Sequence, residues 1–559
     1  MRIGLTILGF VFSSAGLFGQ PGIGRPYGRS MVISQYGIAA TSQILASQTA
    51  AGILQRGGSA ADAAIAANAV LGVVEPMMNG PGGDLFVLYW DARTQQYAGL
   101  NASGPAPKGL TPAFLAGKGI KQMPLEGIQS VTVPGAVAGW AAMHARFGKL
   151  PWKDLFTDAI AYAEKGFPVS EVIQEIWAVD ASVKTLRTDP ESVRVFLPGG
   201  KVPAIGEIFR NPDLGRAYRL IAEQGSDAVY KGALATAILK TSERLGGAMT
   251  AADLASFSPE WVTPISTDYR GSRVYELPPN AQGMAALEML NIMGTSPPAA
   301  AGPFSAPEMH ERIEAMKLAY ADLRRYDADP RTYDVPVGKL LSKEWAQQRA
   351  AQIDPGHANC AVPPGHVISG DTTYLTVVDR DGNMASWIQS ISQVFGSGVT
   401  VGGMGFMLHD RAAGFNLDPA SPDVLAGGKR PFHTIIPAFM EQGDARTAFG
   451  IMGGANQPLA HAQFVSNIVD YGMNIQAALE APRFTKRTAQ GCDVSIESRV
   501  PADTLQQLSE RGHQIAIRRE YTQEMGRGQA ILHDAKTNTN YAASDPRADG
   551  AAVPEPIPH

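Results

Sequence analysis

A threonine in the last third of the chain stands where it could act as a nucleophile. Thr372 follows residues 354–370, a Pro-, Gly- and His-rich stretch that has no apolar periodicity and is predicted to be an exposed loop. Cleavage of the Asp371–Thr372 bond would give Thr372 a free α-amine about 3 Å from its own hydroxyl. An unperturbed α-amine has a pKa of about 7.7–8.0, so near pH 7 it can take the hydroxyl proton while the oxygen attacks a carbonyl. By itself, however, Thr372 also fits an ordinary strand start, because threonine favours strands.

A second hydroxyl is expected beside this threonine. Two β-favouring runs flank the turn at residues 380–382. A three-residue turn with a left-handed Gly382 pairs the runs so that Thr372 lies opposite Ser390 on the same face. A two-residue turn would shift the pairing by one residue, so this prediction depends on the turn type.

The segment that begins at Asp371-Thr372 resembles the start of the small subunit in the γ-glutamyltransferase family. Members of this family are N-terminal-nucleophile hydrolases, made as one chain that cleaves itself before the threonine. The resemblance covers nearly the whole chain after the first residues. The matching segments are residues 61–66, 79–84, 133–135, 269–271, 278–279, 319–322, 371–383, 429–431, 452–454, 481–484 and 544–547.

The resemblance implies an α+β fold, a four-layer αββα sandwich in which two stacked sheets lie between helix layers. It implies a large subunit of residues 20–371 and a small subunit of residues 372–559, which pair as a heterodimer and form one body. The family's oxyanion hole consists of backbone N–H groups and corresponds to Gly453-Gly454, and its second hydroxyl corresponds to Ser390. It implies no metal and no cofactor.

The chain departs from the well-known γ-glutamyl enzymes at the positions that bind the substrate's amino-acid head. Residues 100–107 contain no arginine where those enzymes bind the α-carboxylate. His433-Thr434 replace two serines, Gly414 replaces the acidic residue that binds the α-amine, and Ser392 replaces an asparagine. The resemblance therefore preserves the catalytic residues and changes the substrate-binding ones.

Arg411 is a candidate to supply the missing positive charge, because an arginine binds a carboxylate through two directional, charge-assisted hydrogen bonds. Ser392, His433 and Thr434 are the other predicted substrate-binding residues. Arg411 and His433 could equally be structural residues.

These changes resemble the acylase-like branch of the family, which is related to cephalosporin and glutaryl acylases. The predicted function is hydrolysis, in preference to transfer, of γ-glutamyl or related acyl amides (glutathione-like) as small-molecule substrates. Two alternatives remain at this point: a glutaryl or cephalosporin-type acylase, or an exported binding protein that has lost turnover.

The composition excludes several other classes. The 559 residues include 47 Lys and Arg against 52 Asp and Glu, so no basic surface is expected for nucleic acid. The zinc-protease pattern H-E-x-x-H and the G-x-S-x-G motif are missing. Cys360 and Cys492 cannot make a disulfide scaffold, although one bond between the predicted large and small subunits remains open.

The first residues indicate export. Arg2 precedes an apolar run without charge at residues 3–18, and small or polar residues follow. This pattern is typical of a secretory signal, residues 1–19, with cleavage near Gly19. The alternative is a retained N-terminal anchor. The mature protein is therefore predicted to be periplasmic or secreted, with no stable membrane span.

Overall fold

The computed structural model describes residues 27–361, 372–486 and 491–557. The predicted signal at residues 1–19, the later part of the predicted loop and Asp371 lie outside these residues. The described part of the loop, residues 354–361, is mostly exposed to solvent, as the sequence predicts.

Two seven-stranded sheets form the centre of the molecule, and neighbouring strands in both are antiparallel. The strands, in chain order, are β1 (Val32–Ser34), β2 (Ile38–Thr41), β3 (Asp84–Asp91), β4 (Gln96–Ala102), β5 (Phe167–Pro168), β6 (Ile208–Phe209), β7 (Glu260–Val262), β8 (Ile265–Tyr269), β9 (Ser272–Glu276), β10 (Thr373–Val378), β11 (Met384–Ser390), β12 (Ala438–Gln442), β13 (Ala445–Met452), β14 (Phe484–Thr485), β15 (Asp493–Glu497), β16 (Gln514–Arg518), β17 (Arg527–Asp534), β18 (Thr539–Ser544) and β19 (Ala551–Pro554). The first sheet has the order β19-β2-β10-β11-β3-β4-β7 and the second β1-β18-β17-β13-β12-β9-β8. Strands β14-β15-β16 and β5-β6 make two smaller sheets.

Helices cover the outer faces of both large sheets. They are α1 (Ile44–Gln55), α2 (Ala60–Val74), α3 (Pro112–Gly117), α4 (Ala136–Phe147), α5 (Thr157–Lys165), α6 (Glu171–Trp177), α7 (Asp180–Leu186), α8 (Pro190–Phe196), α9 (Pro212–Gln224), α10 (Asp227–Tyr230), α11 (Ala233–Arg244), α12 (Ala251–Ala255), α13 (Gly283–Met293), α14 (Ala306–Tyr326), α15 (Val337–Leu340), α16 (Lys343–Ala350), α17 (Gln457–Val469), α18 (Ile475–Glu480) and α19 (Ala502–Glu510). In the described part of the chain, none of these helices combines the length and apolar character that crossing a bilayer requires.

Three apolar cores separate four layers. Between the sheets, Phe86 and Tyr374 of the first sheet pack with Phe439 and Ile531 of the second. Alternate residues of the same strands face outward: the first sheet packs against α1, α2 and α4, and the second against α13, α17 and α18. This arrangement is the αββα sandwich of the predicted α+β class.

Helix α2 shows how the sequence produces this layering. Ser59 accepts a hydrogen bond from the Asp62 amide, and the Asp62 carboxylate accepts one from the Ser59 amide. This capping box starts the helix. Every residue of α2 is buried, because its alanines allow close approach to the sheet on one side and to other helices on the other.

A disulfide joins Cys360 to Cys492, with 4.9 Å between their Cα atoms. The sequence left this pairing open. The bond connects a residue on the N-terminal side of the predicted cleavage point to one on the C-terminal side.

Candidate active site

The β10–β11 hairpin places two hydroxyls side by side. Thr373 pairs with Gln389, so the register sets Thr372 opposite Ser390. The Thr372 Oγ1 donates a hydrogen bond to the Ser390 Oγ at 3.3 Å, and Thr372 is only 1% exposed. Gly382 has a φ of 79°, the left-handed conformation that the three-residue turn requires. The predicted pairing is confirmed.

The same row continues onto strand β3, where Asp84 pairs with Ser390. Directly opposite residues lie on one face of a sheet. Phe86, two residues after Asp84, belongs to the core between the sheets, so the row Thr372, Ser390, Asp84 faces that space. The sequence does not predict Asp84 as a site residue, although a charged side chain just before the apolar run at residues 85–90 is an available signal.

Asp84 is the centre of a buried polar cluster. Its Oδ2 lies 2.9 Å from the His433 Nε2 and 3.9 Å from the Arg411 Nε. Its Oδ1 accepts a hydrogen bond from the Gly135 amide at 3.2 Å and lies 3.8 Å from the His409 Nε2. Burial raises the pKa of Asp84 to about 7, and the Arg411 charge opposes this rise.

Arg411 has spare hydrogen-bonding capacity. It is 3% exposed, and its Nη1 donates to the Thr434 Oγ1 at 2.9 Å. Its Nε and Nη2 have no hydrogen-bond partner among the residues that the structure describes. Burial lowers the pKa of Arg411 to about 10, so it stays charged at neutral pH. A buried cation with unpaired donors is costly, and an anionic ligand would remove that cost.

The two histidines of the cluster are neutral near pH 7. Burial and the Arg411 charge lower the pKa of His409 to about 3 and hold that of His433 well below its usual range. The His433 ring lies 4.7 Å from the Phe86 ring. His433 is therefore an uncharged hydrogen-bonding partner of Asp84.

Ser392 lies in the segment after β11 and contacts the hydroxyl pair. Its backbone N–H donates to the Ser390 Oγ at 2.7 Å, and its φ of 81° is unusual for a residue other than glycine. Its side chain also hydrogen-bonds Asp410, whose pKa burial raises to about 6. Ser392 therefore orients Ser390, a contact that the sequence did not predict for it.

Gly453-Gly454 follow strand β13 and precede helix α17. Their φ values are 141° and 59°, conformations that glycine adopts without strain. A short 3₁₀ turn begins at Gly454 and continues into α17. Amides at the start of a helical segment have no acceptor within the helix, so they are suited to bind a negatively charged oxygen.

Two contacts place this glycine pair at the site. A Cβ on Gly450 would lie 2.3 Å from the Tyr374 ring, which shows how closely β13 approaches β10 beside Thr372. The Gln282 Nε2 donates to the Gly454 carbonyl at 2.8 Å and also to the Thr434 carbonyl. The oxyanion candidate and the Arg411 cluster are therefore joined through one side chain.

A cavity of about 870 Å³ opens beside Gly453. Gln393, Val394 and Asn456 line it near the glycine pair, and Ile176 and Val179 line it further away. It has room for a group much larger than the few atoms attached to the scissile bond.

The structure thus brings together all of the described residues that the sequence predicts for the site: Thr372, Ser390, Ser392, Arg411, His433, Thr434, Gly453 and Gly454. Asp371 lies outside the described residues. The sequence does not predict Asp84, His409 or Gln282 for the site, and no sequence signal identifies the last two.

Comparison with known proteins agrees with this geometry. The family model described as Gamma-glutamyltranspeptidase matches residues 46–555. The glutathione hydrolase-like YwrD proenzyme of Bacillus subtilis is 36% identical over 93% of this chain and 99% of its own, and the oxamate amidohydrolase proenzyme of Klebsiella pneumoniae is 34% identical over the same shares. The crystal structure of a cephalosporin acylase from Bacillus halodurans is 40% identical, with a TM-score of 0.89 over 97% of this chain and 100% of that one. The chain therefore belongs to the gamma-glutamyltranspeptidase family of N-terminal-nucleophile hydrolases, and it is an enzyme.

Proposed function

We propose that the protein cleaves itself before Thr372 and then hydrolyses γ-glutamyl or related acyl amides through an acyl-enzyme on that residue. The observation that carries this proposal is the 3.3 Å hydrogen bond from the Thr372 Oγ1 to the Ser390 Oγ, together with the Gly453-Gly454 turn that Gln282 links to Thr434. A protein that only binds ligands has no need for that combination.

In the proposed reaction, cleavage of the Asp371–Thr372 bond frees the Thr372 α-amine. This amine takes the proton of the Thr372 hydroxyl while the Oγ1 attacks the amide carbon. The amides of Gly453 and Gly454 stabilise the resulting oxyanion, and each such donor contributes about 3 kcal/mol. The proton then passes to the departing amine, and a water molecule releases the acyl group from the Oγ1.

The acyl group is proposed to bind at the buried polar cluster, with Arg411 and Thr434 as donors and with His433 and Ser392 at its edge. The unpaired Arg411 N–H groups support a substrate that carries a carboxylate. Gly414 offers no charge for an α-ammonium group. This absence favours a second candidate, a glutaryl or cephalosporin-type acylase, whose acyl group lacks that ammonium.

The proposed subunits, residues 20–371 and 372–559, would share both sheets. In the first sheet, β10, β11 and β19 of the small subunit alternate with strands of the large one. The subunits would therefore remain one body after cleavage. The leader at residues 1–19 and the disulfide support export to the periplasm or outside the cell, because disulfides persist in oxidising compartments.

The first test combines a gel with two substrates. We expect purified protein to give two bands under reducing conditions, the smaller beginning at Thr372. We expect it to hydrolyse γ-glutamyl or glutaryl anilide, with less transfer than hydrolysis when a dipeptide acceptor is added. A single uncleaved chain without activity would support the binding-protein alternative, and strong preference for the glutaryl anilide would support the acylase.

The disulfide makes a separate prediction. Because Cys360 and Cys492 lie on opposite sides of the cleavage point, the cleaved subunits should migrate as one species on a denaturing gel without reductant. Reductant should separate them. The variant C360S should separate without reductant while keeping its two-band pattern. Separation of the wild-type subunits in the absence of reductant would contradict the pairing.

A further inference from the structure

We propose that Asp84 competes with the carboxylate of the substrate for Arg411, so that the enzyme takes up a proton at Asp84 when it binds the monoamide of a short dicarboxylic acid. This inference rests on the proposed function only in placing the acyl group at the buried polar cluster. It identifies the substrate class and makes Asp84 a residue that determines specificity.

Asp84 and the carboxylate of a bound substrate would share one arginine, Arg411. The Asp84 Oδ2 lies 3.9 Å from the Arg411 Nε, too far for a hydrogen bond but close enough for ionic attraction. The Arg411 Nε and Nη2 have no partner among the described residues. A carboxylate that accepts from these two donors would therefore lie beside the Asp84 carboxyl. Two buried carboxylates at that separation do not both stay ionised.

The distance to the nucleophile limits the length of the acyl group. Asp84 opens β3 and Thr372 immediately precedes β10, and only β11 lies between these two strands. Neighbouring strands are about 4.8 Å apart, so the two residues are about 10 Å apart. An acyl chain whose carbonyl is at Thr372 and whose carboxylate is at Arg411 is therefore short. Long fatty acyl groups do not fit this description.

Other groups around Asp84 have the charges that the proposal needs. Arg430 adds a second positive charge, while His409 and His433 are neutral because burial lowers their pKa values. Tyr230 stays protonated because burial raises its pKa. Asp410, which precedes Arg411 in the chain, has a pKa that burial raises to about 6, and it accepts a hydrogen bond from the Gln393 amide.

The proton balance follows from these charges. In the free enzyme, burial places the pKa of Asp84 at about 7, so at pH 8 it is mostly ionised. A substrate carboxylate raises that pKa further, and a proton from solvent binds to the Asp84 Oδ2. The new O–H donates to the His433 Nε2, which is 2.9 Å away, and the neutral ring then carries its own proton on Nδ1. At pH 6 the carboxyl is already protonated, so binding there takes up almost no proton at Asp84.

The test is isothermal titration of the cleaved wild-type protein with glutarate, in buffers of different ionisation enthalpy at pH 6 and pH 8. We expect the dissociation constant of glutarate to rise about tenfold between these pH values, and proton uptake to approach one at pH 8. D84N imitates the protonated carboxyl, so its dissociation constant for glutarate should change less than twofold between pH 6 and pH 8. The Thr372 amine titrates in both proteins, so their difference reports Asp84.

A matched control is available on the same strand. Asp91 at the other end of β3 accepts hydrogen bonds from local backbone amides and lies outside the site, so D91N should behave like the wild type. Equal proton uptake in wild type and D84N would overturn the proposal, as would failure of glutarate to bind at pH 6. These binding results do not require turnover, so an inactive protein that still takes up the proton would contradict the proposed function alone.

Discussion

Replacement of Thr372 by alanine is expected to abolish chain cleavage and to lower kcat/KM for anilide hydrolysis by at least about 10⁴-fold. The hydroxyl is the proposed nucleophile in both reactions, and the neighbouring Ser390 hydroxyl has no α-amine to accept its proton. A denaturing gel and a progress curve measure the two losses. A residual activity above this limit in uncleaved T372A protein would mean that another residue carries the reaction.

Two variants make this result specific. T372S keeps a hydroxyl and an α-amine, so it should still cleave itself and retain measurable activity. Thr373 is equally buried, but its Oγ1 donates to the Gln389 carbonyl and it lies on the opposite face of β10. T373S should therefore cleave and turn over like the wild type. A cleavage defect in T373S would indicate that strand packing, and not the Thr372 hydroxyl, controls processing.

The parts of the site that the sequence predicted are those that local chemistry determines. The turn at residues 380–382 requires a left-handed residue at Gly382, and this requirement sets the pairing of Thr372 with Ser390 over a span of less than 20 residues. The cap at Ser59 likewise depends on a residue three positions away. The four-layer order of helices and sheets, in contrast, was predicted from the family resemblance and not from periodicity.

Long-range contacts were not predictable in this way. Asp84 meets His433 across 349 positions of sequence, and no spacing rule connects them. The first helix also departs from local preference: Thr41 and Ser42 are of the residue types that favour helix caps, whereas the Gln43 side chain caps the helix. Thr41 is the last residue of strand β2, and its Oγ1 donates to the Gln43 carbonyl. Pairing in the sheet therefore prevents Thr41 from capping the helix.

Because long-range contacts form the substrate-binding cluster, substrate preference cannot be predicted from the sequence alone. The missing arginine, the missing acidic residue at Gly414 and the replaced serines are visible in the sequence. Only the fold shows that Arg411 lies in the same cluster as Thr434 and Asp84. Charge lost from one strand can therefore be supplied from another segment, and comparison of positions one by one does not detect it.

Replacement of Arg411 by glutamine is expected to raise KM for glutaryl or γ-glutamyl anilide about 100-fold and to change kcat less than about fivefold. A charge-assisted pair that is lost from a buried site costs about 2–5 kcal/mol, and the acyl carboxylate lies away from the bond that breaks. R411K retains the charge without the planar pair of donors, so its KM should rise about tenfold. Steady-state kinetics on the cleaved variants measure both values.

A substrate with a neutral acyl group distinguishes a loss of carboxylate binding from a loss of folding. Butyryl anilide has no carboxylate, so its kcat/KM should change less than about threefold in R411Q. The variant should fold, because Asp84 can take up a proton when its positive neighbour is removed. Arg93 is 85% exposed and follows the end of β3 opposite to Asp84, so R93Q is the matched control and should leave both substrates unaffected. Equal losses with the two anilides in R411Q would assign Arg411 a structural role.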